Sequence, residues 1–131
     1  MQSFVVDTHT ASWYLSAPNK LGREAKRVLT RLRRGNLRVY IPVIAVVELA
    51  LLQERGRRVV GPAEIDVWVS EVDGLEVLPM DAAQAAEFAL LPNLVDPFDR
   101  MVVAATRSTQ SILITADERI TGSNLVEVLW D

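Results

Sequence analysis

The sequence predicts an α/β domain in which a mainly parallel sheet of about five strands is covered by helices on both faces. Short β-branched or apolar runs alternate with longer amphipathic stretches along the chain, the pattern of strand–helix–strand units. No two neighbouring strand candidates are joined by a tight Asn-Gly or Asp-Gly link, so nothing signals a hairpin. The length, 131 residues, suits a single domain with one sizeable core spanning residues 1–131.

Phe4 to Val6 is an apolar run ending in Asp7, a first strand. Thr8 to Ser16 reads as a helix that Pro18 punctuates. Lys20 to Arg34 places Leu21, Ala25, Val28, Leu29 and Leu32 on one face of an amphipathic helix, and Gly35-Asn36 stops it. Leu37 to Ile41 (LRVYI) is β-branched and aromatic enough for a second strand. Pro42 then suits the first turn of a helix reaching about Glu54, because its missing N–H costs nothing there. Pro62 to Val72 is a further amphipathic helix, closed by Asp73-Gly74, and Leu75 to Leu78 a third strand. Asp81 caps an Ala-rich helix to Leu91, and Pro97 to Arg107 is another. Ser111 to Thr115 (SILIT) and Leu125 to Leu129 (LVEVL) complete the strands. There is no internal repeat, low-complexity tract or linker.

Composition narrows the chemistry. There is no cysteine, which excludes disulfides and thiolate metal sites, and one histidine, His9, which excludes a histidine-rich zinc site. Any metal must be held by oxygen, the preference of magnesium and manganese. No leader segment is visible, and the greasiest stretch, Val39 to Leu52, is too short to span a membrane, so a cytoplasmic location is expected. Half of the residues are hydrophobic and the mean hydropathy is +0.17, which points to a buried partner surface. Residues 1–58 carry eleven Lys or Arg against four acids, and residues 59–131 carry three against thirteen. Solvated helix faces account for such an asymmetry, and so does a basic flank that draws a polyanion toward an acidic site.

One acid is out of place. Pro42 to Leu52 reads PVIAVVELALL, ten apolar residues around Glu48. A carboxylate there is costly unless it is paired, hydrogen-bonded or facing a metal. Ligands of an open parallel sheet gather beyond the carboxyl ends of its strands. Asp7 directly follows the first strand, and Asp117 lies two residues past SILIT. Asp96 and Asp99 share a helix N-terminus three residues apart. Singly, Asp7, Asp96 and Asp117 are explained as caps, and Asp99 as complementing a helix dipole or pairing with Arg100 or a neighbour. Together with Glu48 they make an oxygen-only cluster that a divalent cation would neutralise.

The segments VVDTHTASWYL, VVELALL, DPFDRMVVAATR and LITAD, in that order and spanning nearly the whole chain, resemble the PIN domain. They are most similar to the VapC toxins of bacterial type II toxin–antitoxin pairs. The resemblance implies a PIN-like three-layer α/β/α sandwich and a Mg²⁺- or Mn²⁺-dependent endoribonuclease leaving a 5′-phosphate and a 3′-hydroxyl. It implies that Asp7, Glu48, Asp99 and Asp117 are the catalytic, metal-ligating quartet. Asp96 is then an outer ligand or only a cap, and Thr115 supports the site. His9 has no catalytic role assigned. The resemblance also implies a homodimer and a cognate VapB-type antitoxin laid across the groove near the acids. Arg33, Arg34, Arg55, Arg57 and Arg58 are the basic residues expected to contact RNA phosphates. Three rivals remain. One is a PIN nuclease of RNA processing without a toxin role, and another a non-catalytic RNA- or protein-binding module. The third is a phosphatase using Asp7 as nucleophile, against which stands His9 where that family has a second Asp.

Overall fold

The computed structural model describes residues 1–131. Five strands, β1 (Gln2–Val6), β2 (Leu37–Pro42), β3 (Leu75–Leu78), β4 (Ile112–Ile114) and β5 (Val128–Leu129), form one sheet. Their order is β3-β2-β1-β4-β5, and every pairing is parallel. Seven helices flank it: α1 (Thr8–Ser16), α2 (Arg23–Arg31), α3 (Val43–Glu54), α4 (Pro62–Glu71), α5 (Ala82–Ala89), α6 (Pro97–Ser108) and α7 (Glu118–Ser123). No helix is long and apolar enough to cross a membrane.

The period-two alternation of the strands divides the core into two clusters, one on each side of the sheet. Phe4, Val6, Val39, Ile41 and Ile114 face a cluster completed by Ala25, Leu29, Leu49 and Ile65. Val5 and Leu113 point the other way, into Leu91, Val102, Val103, Ala104 and Ile120. Helices therefore lie on both faces in three layers, as the alternating sequence pattern predicts.

Several element boundaries differ from the sequence reading, each for a local reason. The basic stretch from Lys20 to Arg34 is not one helix. Pro18–Lys20 and Leu32–Arg34 are 3₁₀ turns at either end of α2. Gly35 and Asn36 then take φ of 81° and 68°, a left-handed pair that turns the chain into β2. Pro42 does not open α3. It closes β2 in register with Leu78 and serves as the N-cap residue of α3, with no side-chain cap bond. The last strand keeps only Val128–Leu129 of LVEVL. Helix α7 has no expected counterpart, being too short to show a period.

The sheet order puts the fold's switch point at β1. From β1 the chain winds to β2 and β3 on one side, and later returns to β4 and β5 on the other. Beyond the carboxyl ends of β1 and β4 the connections diverge, and a crevice opens there.

Candidate active site

Three helices start at this crevice, and each starts with an aspartate. Asp7 caps α1, its Oδ1 accepting from the Thr10 N–H at 3.0 Å. Asp96 caps α6, its Oδ1 accepting from the N–H groups of Phe98 at 2.8 Å and Asp99 at 3.1 Å. Asp117 caps α7, its Oδ1 accepting from the Arg119 N–H at 2.8 Å. Each cap contributes about 1 kcal/mol to its helix. The same geometry directs the positive ends of these helix dipoles toward the acids. Capping and site-building are therefore not alternatives for these residues.

The other two acids are not caps. Asp99 lies in the first turn of α6 and Glu48 in the second turn of α3. Asp7, Glu48, Asp96, Asp99 and Asp117 all line one cavity of about 500 Å³. Glu48 is half-buried rather than enclosed by apolar neighbours: α3 exposes Val47 and turns Glu48 into the cavity. The oddity of PVIAVVELALL is thus resolved by a polar crevice against one side of an otherwise apolar helix.

Hydroxyl groups hold two of the carboxylates in place. The Thr8 hydroxyl donates to Glu48 Oε1, tying α1 to α3. The Thr115 hydroxyl donates to Asp7 Oδ2 and accepts from the Asp117 N–H at 3.0 Å, so one buried threonine positions two acids. Both threonines are buried, with little freedom to turn away. On the same turn as Thr8, Thr10 Oγ1 is the one buried side-chain polar atom without a hydrogen-bond partner.

A guanidinium holds the other pair. Arg119 Nη2 donates to Asp99 Oδ2 at 3.1 Å and to Asp117 Oδ2 at 3.0 Å. Its Nε and backbone N–H also reach Asp117, so Asp117 receives most of the compensation and its pKa is lowered, chiefly by the Arg119 side-chain hydrogen bond. Asp99 receives one contact and titrates far above its usual range, near 6. Burial is the first cause, followed by repulsion from Asp96 and Asp117, which Arg119 only partly offsets. The five acids line one cavity, but no three of them stand close enough together here to form a chelating group.

Of the basic residues expected near RNA, Arg57 alone lines the acid cavity. Arg33 lies over the Trp68 ring at 5.7 Å, in a separate pocket with Tyr14. Arg34, Arg55 and Arg58 are exposed outside the cavity. The sequence reading missed Thr8, Thr10, Trp13 and Arg119 as cavity residues. Arg119 lies on the short helix α7, and no local sequence pattern marked it.

An α/β domain with a crevice lined by five carboxylates at its switch point is the class these features define. The PIN domain family model matches residues 4–122, and the chain belongs to that family. No curated protein matches it. Among solved structures it is similar to VapBC2 from Rickettsia felis bound to a promoter DNA fragment, at TM-score 0.73 and 15% identity, covering 99% of this chain and 100% of that one. DNA-bound VapBC from Salmonella typhimurium gives TM-score 0.69 at 17% identity, covering 98% of each chain. Mycobacterium tuberculosis VapC20, a sarcin–ricin loop cleaving toxin, gives 0.62 at 19%, covering 95% of this chain and 98% of that one. At these identities the likeness is one of fold.

Proposed function

We propose that the protein is a Mg²⁺- or Mn²⁺-dependent endoribonuclease acting as the toxin of a type II pair with a VapB-type antitoxin. The observation that carries this reading is the convergence of five carboxylates on one cavity, with Asp99 driven up to about 6 by burial and its acidic neighbours. Such crowding is the electrostatic signature of a site short of positive charge. The five acids offer oxygen donors only, which fits magnesium or manganese.

Asp7, Glu48, Asp99 and Asp117 would hold the metal, with Asp96 outside them as cap. A divalent ion bound there would supply a water of lowered pKa and neutralise charge on the scissile phosphate. The chain's own part is placement. Thr115 and Thr8 fix the Asp7 and Glu48 carboxylates, so that little reorganisation is needed when substrate arrives. An ion at Asp99 and Asp117 would have to displace Arg119, which is exposed and pairs with both. Arg57 in the cavity, with Arg33, Arg34, Arg55 and Arg58 farther out, offers phosphate contacts.

The family membership, and the VapBC complexes among the structures of the same fold, support the toxin role and the antitoxin partner. Val47, Val67, Leu90 and Val95 are exposed apolar residues, which supports a homodimer or partner contact. The test is cleavage of total RNA by purified protein with Mg²⁺, Mn²⁺ or EDTA, beside Asp7→Asn. Metal-dependent cutting that falls by about a thousandfold or more in the variant is expected, several kcal/mol of lost transition-state stabilisation. A folded Asp7→Asn protein that cuts as the wild type does would refute the assignment. Growth arrest on expression, relieved by a co-expressed antitoxin gene, separates the toxin from an RNA-processing nuclease.

A further inference from the structure

We propose that the His9–Trp13 wall of the acid cavity is a nucleobase-stacking subsite for single-stranded RNA, with Arg57 receiving a neighbouring phosphate. The inference rests on the nuclease reading and deepens it by naming the form in which the substrate is held.

His9 and Trp13 are four residues apart on α1 and therefore share a face. Their ring centroids are 5.8 Å apart with planes inclined at 48°. Trp13 in turn meets Trp130, at 5.9 Å and 54°. The result is a ladder of three rings whose inner end packs on the core and whose outer member, His9, is exposed. Core packing explains Trp130 and one side of Trp13. It does not explain an exposed His9 set against Trp13 in the same cavity as the acids.

The placement suits a nucleic acid substrate. Asp7 caps the helix whose residues two and six positions later are His9 and Trp13. One rigid element thus sets the separation between the scissile phosphate and the rings. Arg57 lines the same cavity and is the only basic side chain there besides Arg119, which is engaged with Asp99 and Asp117. Aromatic rings beside a cation are how unstacked bases and their phosphates are bound, because every base has a π face. A cavity of about 500 Å³ has room for one splayed base and its sugar. The rings therefore select RNA whose base next to the cleaved bond is unpaired.

The test measures binding, not cutting. Two fluorescein-labelled ten-nucleotide probes are titrated in EDTA by anisotropy: a mixed-sequence single-stranded RNA, and an abasic ribose-phosphate strand of the same length. The wild type is expected to bind the RNA more tightly. Trp13→Leu, which keeps an apolar group against the core, should weaken RNA binding about tenfold or more while leaving the abasic strand unchanged. His9→Ala should do the same to a smaller extent, and His9→Tyr should restore the preference. Arg57→Ala should weaken both probes alike and flatten the salt dependence by about one unit of slope. If Trp13→Leu fails to fold, the exposed His9 pair decides. An RNA-to-abasic ratio unchanged across the His9 variants and any folded Trp13→Leu overturns the subsite, even where the wild type cuts RNA. Conversely, a wild type that cuts no RNA but shows the ratio refutes the nuclease reading and leaves the subsite standing.

Discussion

The two halves of the acidic crevice are built differently. Asp7 and Glu48, on the side of β1 and α3, accept hydrogen bonds from buried threonine hydroxyls, Thr115 and Thr8. Asp99 and Asp117, on the side of α6 and α7, share an exposed arginine. A hydroxyl orients a carboxylate without cancelling its charge, whereas a guanidinium cancels charge but occupies the space where a ligand would sit. The first pair is thereby fixed in orientation. The second is compensated by a cation that can leave. One half is held by buried hydroxyls, and the other by an exposed ion pair with the chain's own arginine.

The largest effect should come from breaking the fixed half without touching its acids. Thr115→Val removes the donor to Asp7 and the acceptor of the Asp117 N–H while conserving shape. Partners that orient metal ligands from behind typically contribute ten- to a hundredfold in metal affinity or activity. A loss of that order in Mn²⁺ affinity, read by calorimetric titration, is expected for Thr115→Val. Thr8→Val should lose less, because it frees one oxygen of one acid. Unchanged affinity in both would mean that the hydroxyls serve the fold alone.

The same contrast explains what was legible in the sequence. Asp7, Asp96 and Asp117 could be found because a cap must sit at a strand–helix or loop–helix junction, and junctions show in the hydrophobic pattern. Glu48 could be found because it interrupts an apolar run. The five strands and their parallel arrangement followed from the alternation, with no hairpin signal to contradict it. Strand order was not legible, since periodicity reports which face a residue takes and not which strand lies beside it. Helix α7 was missed because six residues make fewer than two turns, and with it went Arg119. Thr8 was passed over because a threonine after an aspartate is ordinary at a helix start. Its role depends on α3 crossing α1, a long-range contact that no local pattern encodes.

Arg119→Ala tests the removable half. Without the guanidinium, Asp99 and Asp117 lose their shared partner and are open to an ion. Mn²⁺ affinity should rise by about two- to tenfold, the range that exposed ion pairs allow. A fall instead would make Arg119 part of the working site rather than a stand-in for the metal, and the contrast between the two halves would fail.

The smallest effect is on stability, and its sign is informative. Asp99 titrates near 6 in the folded chain, against 3.8 ordinarily. Between those values the folded state holds a proton that the unfolded state has released. Stability therefore falls as pH rises from about 4 to about 6, and the loss is complete above that window. Asp99→Asn removes this titration. At pH 7 the metal-free variant should melt about 2–5 °C above the wild type, with a flatter profile from pH 4 to 6. Saturating Mn²⁺ should raise the wild-type Tm and leave the variant nearly unmoved, since only a protein that binds the ion is stabilised by it. The acid that weakens the empty fold would then be the one that fills the site. If Asp99→Asn instead melts below the wild type at pH 7, the Arg119 contact outweighs the crowding, and the second half of the crevice is as settled as the first.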